Sequence, residues 1–139
     1  RGLSGLPEAG WRVSMTARDL LKWGRLILNK GKWSGEQLIP AAYITKATSA
    51  LTRPTEDWQP EHYRYGYFWY QTEIEVGDQH YAANMAWGGG GQHIVVVEAL
   101  DLVIVITGHD PVDAIMTQVA NTIVPAFAQA HKEVQKLKQ

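Results

Sequence analysis

The chain has 139 residues, 45% hydrophobic and 19% charged, with a formal net charge of −1 at pH 7. That bounds it to one ordinary globular domain with one core and gives no electrostatic footprint for nucleic acid or anionic lipid. The lack of cysteine excludes a disulfide framework and thiolate catalysis, and no apolar run approaches the ~20 residues of a membrane span.

Arg1–Met15 reads as irregular. No signal-peptide pattern is present, and the abrupt, loop-like beginning suggests a piece of a longer protein. Thr16 suits an N-cap, with Asp19 placed to favour the helix dipole. A helix is expected over Ala17–Asn29, its buried stripe being Leu20, Leu21, Gly24, Ile27 and Leu28, and Gly31 stopping it. Lys32–Leu38 is a turn containing Gly35, and Pro40 opens a shorter helix, Pro40–Ser49. Thr52–His62, with Pro54 and Pro60, is a loop. Four strands follow: Tyr65–Ile74, Gln79–Met85, Gln92–Val97 and Leu102–Thr107. Gly77-Asp78 turns the first into the second, and Glu98–Asp101 makes the last pair a hairpin. His109-Asp110-Pro111 ends the sheet. A helix begins near Asp113, with Ile115, Met116, Val119 and Ile123 on one face and Pro125 kinking or dividing it. Its Lys-rich end, His131–Lys138, reads as a solvated tail. Helices, then strands, then a helix predict an α+β fold with helices packed on an antiparallel sheet.

The segment Ala86–Gly108, AWGGGGQHIVVVEALDLVIVITG, is the most informative. Gly88–Gly91 precede two β-branched runs. Such a cluster either bends a tryptophan-bearing strand or lets a ligand reach backbone N–H groups, as at an oxyanion. The aromatic run Tyr63–Tyr70, YRYGYFWY, is a half-buried strand or a groove wall that stacks on a ligand. No Ser-x-x-Lys or Gly-x-Ser-x-Gly occurs. His93 follows the glycines without an orienting carboxylate in sequence, which favours a structural role over that of a general base. His109-Asp110 could orient a substrate, though such a pair is commonplace at a strand end. The five histidines show no zinc-like spacing, and no cofactor is expected.

Four segments together carry a family resemblance. TARDLLKWGRLILNKGKWSGEQLI, YGYFWY, the glycine–hairpin segment and ANTIVPAFAQA occur in the order found in β-lactamase-related serine hydrolases. That family includes class C β-lactamases, penicillin-binding-type enzymes, D-aminopeptidases and esterases. The resemblance spans nearly all of Ser14–Ala130. It implies a partial β-lactamase/transpeptidase-like fold, residues 1–139 forming one domain at the C-terminal end of a longer hydrolase. The family's Ser-x-x-Lys and second-motif Tyr would lie upstream. Its third motif, Lys/His-Thr/Ser-Gly, matches Ala86-Trp87-Gly88, which keeps the glycine and lacks the cation and hydroxyl. The resemblance assigns Gly89 as a backbone oxyanion donor, with Trp87, Gly88, Tyr65 and Trp69 in the substrate pocket. It implies a small ester or amide substrate in the intact enzyme, and a periplasmic or secreted parent. It also implies that a strand from the missing N-terminal part pairs with Leu102–Thr107. Without that strand the edge is expected to form a homodimer. A non-catalytic binding or scaffold module with an aromatic groove is the alternative.

Overall fold

A computed structural model describes residues 13–57, 59–109 and 112–137. The elements run α1 (Ala17–Leu28), β1 (Lys32–Trp33), β2 (Glu36–Gln37), α2 (Ala41–Ala47), β3 (Arg64–Tyr65), β4 (Tyr70–Val76), β5 (Gln79–Gly88), β6 (Gln92–Val97), β7 (Leu102–Thr107), α3 (Val112–Gln118) and α4 (Val124–Leu137). β3 to β7 form an antiparallel five-stranded sheet in sequence order, while β1 and β2 pair separately. The α+β class with an antiparallel sheet is what the chain adopts.

Side-chain alternation divides the core between the two faces of the sheet. Met85, Val95, Val97 and Ile104 face one way and pack with Val119, Val124 and Ala128 from the C-terminal helices. Val96, Ile94 and Val103 face the other way and pack with Ile27 of α1 and Ile44 of α2. Gly24 lets α1 lie close on the strands, since a Cβ there would sit 2.3 Å from Val103 Cγ1 and 2.9 Å from Ile94 Cγ2. Leu21, expected in the buried stripe, is 36% exposed, so that stripe is narrower than its sequence pattern.

The ends of α1 are set by local chemistry. Thr16 Oγ1 accepts from the Asp19 N–H at 3.2 Å, as expected of an N-cap. Beyond the C-cap Asn29, Lys30 N–H bonds Ile27 O at 3.0 Å and Gly31 N–H bonds Leu26 O at 2.8 Å. This is a Schellman arrangement in which Lys30 (φ 51°) already turns left-handed before Gly31 (φ 84°). The expected turn over Lys32–Leu38 is a hairpin through Ser34 (φ 49°) and Gly35 (φ 88°), positive at both central positions as a type I′ turn requires. Pro40 caps α2 rather than lying within it.

Two strand expectations need correction. Tyr65–Ile74 is not one strand: the chain turns between β3 and β4, with Tyr65 opposite Tyr70. Gly66 N–H bonds Trp69 O at 2.8 Å, Tyr67 N–H bonds Ala47 O at 2.9 Å, and Phe68 takes φ 63°. A Cβ on Gly66 would lie 2.1 Å from Ala47 O, so only glycine lets the hairpin tip seat on the end of α2. The strand expected over Gln79–Met85 is longer than that and takes in the first of the four glycines. β5 continues three residues past Met85 to Gly88, and Gly89-Gly90-Gly91 is the loop into β6. Gly91 N–H bonds Gly88 O at 3.0 Å, and of the four glycines only Gly91 has positive φ, 86°. A type I turn closed by a left-handed glycine is a favoured three-residue hairpin loop.

Near Pro125 the helix is divided, as expected, into α3 and α4. Val119–Ile123 winds as a π turn, with the Val124 N–H bonding Val119 O. The wider turn accommodates a proline that cannot donate an N–H in the α register. The expected sheet-ending Asp110-Pro111 and the tail's Lys138 lie outside the described residues, as does Arg1–Arg12.

Candidate functional site

β5 is longer than its neighbour on one side. β4 begins at Tyr70, opposite Met85, so Ala86, Trp87 and Gly88 run past its end while still paired with Ile94, His93 and Gln92 of β6. An open cleft of about 620 Å³ occupies that corner. Tyr65, Phe68 and Tyr70 line it from the β3–β4 hairpin, Ala86, Trp87 and Gly88 from β5, and Leu20 from α1. Gln92, His93 and Ile94 of β6 complete it.

Aromatic rings make most of the wall. Tyr65 and Tyr70 have centroids 4.7 Å apart, Tyr70 and Trp87 5.5 Å, and Trp87 lies nearly parallel to His93 at 6.1 Å and 13°. These spacings fall within the favourable range for paired rings. Gln59 Nε2 donates to the Tyr70 hydroxyl at 2.8 Å. Burial, reinforced by Tyr65, pushes the Tyr70 pKa up, so Tyr70 is a neutral phenol at physiological pH. None of the lining residues is Asp, Glu, Lys or Arg.

Of the residues assigned from sequence, Tyr65, Trp87 and Gly88 line this cleft. Gly89 stands next to it in the exposed part of the turn, and its N–H donates to no backbone carbonyl among the described residues. Trp69 is elsewhere, half-buried against the cluster of Ile27, Ile44 and Val96. Its neighbour Phe68 reaches the cleft instead. The left-handed backbone at Phe68 makes that exchange, and no local signal in an all-aromatic run foretells it. Gln92 was also missed. Its side-chain Nε2 donates to Gly108 O at 3.0 Å, tying the start of β6 to the chain after β7. His109 stands close by, its Nδ1 3.3 Å from where a Cβ on Gly90 would lie.

His93 is 1% exposed. Its Nδ1 is 3.2 Å from Met85 Sδ, and its Nε2 has no hydrogen-bond partner among the described residues. No ion pair with a carboxylate is formed by His93 among the described residues. The structural reading of His93 therefore fits better than an oriented general base. Burial lowers its pKa below the ordinary 6.5, so the folded protein prefers the neutral ring. The unfolded chain then binds more protons in mildly acid solution. Stability should hold above pH 6.5 and fall as pH drops below it. His93→Gln should flatten this fall. Urea midpoints for both proteins at pH 7.5 and 5 check it, and equal acid losses would refute the assignment.

The site has a largely aromatic wall, the exposed Gly89 beside it whose N–H meets no backbone carbonyl among the described residues, and no nucleophile–base pair in its lining. Among the described residues no group of three or more His, Asp or Glu could hold a metal ion. None of the described helices is long and apolar enough to cross a membrane. No protein-family model matches the chain, and the comparison with curated proteins found no match.

Proposed function

We propose that this chain is the C-terminal part of a β-lactamase-related serine hydrolase acting on an ester or amide. The observation that supports this most is the meeting of Tyr65, Trp87 and Gly88 in one cleft beside an exposed glycine turn. In this reading a serine supplied from upstream attacks the carbonyl, and an upstream Lys/Tyr pair moves the protons. The Gly89 N–H steadies the oxyanion, while Trp87 and Tyr65 hold the acyl or leaving group. The cleft offers no cation for the carboxylate of a β-lactam, which favours an esterase or amidase over a β-lactamase.

The 139-residue chain should not turn over a p-nitrophenyl ester or a chromogenic cephalosporin above the buffer rate. A protein extended upstream to include a Ser-x-x-Lys segment should hydrolyse the ester, and a serine-directed phosphonate should stop it. The reading fails if the upstream sequence holds no such segment. It fails equally if the short chain shows phosphonate-sensitive turnover. The aromatic stack also favours a second reading, a binding module without catalysis. Ligand binding by an extended protein that never turns over would select it.

A further inference from the structure

We propose that the cleft takes an uncharged ligand through a planar aromatic group, and that Phe68 at its rim selects that group. The inference uses the cleft of the proposed function but none of its chemistry.

The first observation is charge. The lining carries no formally charged side chain, and its one titratable nitrogen base, His93, is buried beneath Trp87. A ligand carboxylate or ammonium entering here would lose water and gain no opposite charge, which is costly. The second is shape. Tyr65, Tyr70 and Trp87 form a continuous run of ring faces and edges, and the Tyr70 hydroxyl is already engaged by Gln59. Ring faces and edges make most of the surface left to a ligand, suited to a flat ring, with Gln92 and the Tyr65 hydroxyl as uncharged polar groups beside them.

The third observation is Phe68 itself. Among the described residues four non-glycines have positive φ: Lys30, Ser34, Phe68 and Asp101. Phe68, the one aromatic of the four, is 83% exposed and lines the cleft. A bulky residue in the left-handed region is an outlier that persists only when its surroundings hold it. Here Gly66 N–H to Trp69 O and Tyr67 N–H to Ala47 O fix the tip on both sides. A glycine at 68 would fit the backbone better, and an exposed phenyl contributes little to the core. Strain that holds an apolar ring at the mouth of an aromatic cleft is what a ligand clamp requires.

The test uses the 139-residue chain and three small probes followed by amide chemical-shift titration. They are 4-nitrobenzamide, its anionic counterpart 4-nitrobenzoate, and the non-planar cyclohexanecarboxamide. We expect the aromatic amide to bind, shifting Trp87 and Phe68, at least ten times more tightly than either control. Phe68→Gly should raise the urea midpoint yet weaken amide binding about two- to tenfold, the scale of one aromatic pair. Phe68→Leu should weaken binding similarly without raising the midpoint, because it keeps the strain and loses only the ring. Equal binding of benzoate, equal binding of the cyclohexane amide, or unchanged affinity in Phe68→Gly would overturn the proposal. So would a lower midpoint in Phe68→Gly, which would make the ring part of the fold. In the protein extended upstream, phosphonate-sensitive turnover without an aromatic preference would sink this inference and leave the hydrolase reading standing. Binding of the aromatic amide by that extended protein without turnover of the ester does the reverse.

Discussion

Gly31→Ala is expected to destabilise the protein by about 3 kcal/mol or more, from left-handed strain of ~1–2 kcal/mol plus a forced backbone shift. Gly31 has φ 84°, and an added Cβ would lie 2.0 Å from the carbonyl oxygen of Ile39 and 2.9 Å from its carbon. Neither atom is the end of a flexible side chain. The Ile39 and Leu38 N–H groups both bond Gly31 O, so the chain crosses itself there and relief would break those bonds. The site also closes the Schellman turn of α1, which carries Leu20 to the cleft and Ile27 to the core. The urea midpoint should fall by more than ~1 M for a slope of ~1–3 kcal/mol/M. A loss under ~1 kcal/mol, within the scale of an ordinary substitution, would refute the close-crossing account. The glycine turn supplies the calibration. Gly91→Val, at φ 86°, should cost ~1–3 kcal/mol. Gly89→Ala should cost next to nothing, because no atom lies within 4 Å of its Cβ position. The oxyanion-donor role proposed for Gly89 needs only its N–H, which alanine keeps.

Where sequence pattern and local chemistry agree, the fold was legible. Thr16 and Asp19 marked the start of α1, where the Asp19 N–H bonds Thr16 Oγ1, and the β-branched runs marked both strands of the β6–β7 hairpin within the bounds they have. Both signals are local. The β3–β4 turn was illegible for the opposite reason. Every aromatic residue of YRYGYFWY favours a strand by propensity, and what breaks it is close approach to Ala47, the last residue of α2, and to Ser49 just beyond it. The same tertiary cause exchanged Trp69 for Phe68 at the cleft. In the glycine run, composition showed that a close turn was available. Only the Gly88–Gly91 hydrogen bond shows that the turn joins β5 to β6 and that a single glycine of the four needs its left-handed φ. Sequence ended β5 at Met85, short of Trp87 and Gly88. It could not show that the strand runs on past the start of β4 at Tyr70 and leaves a cleft there.

Self-association through β7 is the second large effect expected of this chain. β7 ends the sheet order, pairing with β6 on one side. Which of its backbone groups face outward follows from the hairpin. Gly88 O accepts from Gly91 N–H, so Gly88 points toward β6 and its partner Gln92 points back toward β5. Alternation then turns His93, Val95 and Val97 toward β7, onto Ile106, Ile104 and Leu102. Val103, Val105 and Thr107 are left with N–H and C=O groups directed away from the sheet. No lysine, proline or charge interrupts Leu102–Thr107, the usual devices that blunt such an edge. Lysine at Ile104 would be a poor test, because that side chain is 7% exposed within the core and a charge there would unfold the protein. Val105 is only half-buried, so a lysine can carry its ammonium to water while disfavouring a second strand. Sedimentation of the wild-type chain should show a dimer that grows with concentration. Val105→Lys should be monomeric with an unchanged circular dichroism spectrum. In the proposed longer hydrolase an upstream strand covers this edge, so the extended protein should be monomeric as well. A wild-type chain that stays monomeric at high concentration would refute the edge-pairing model, and so would a dimer indifferent to lysine in a folded variant.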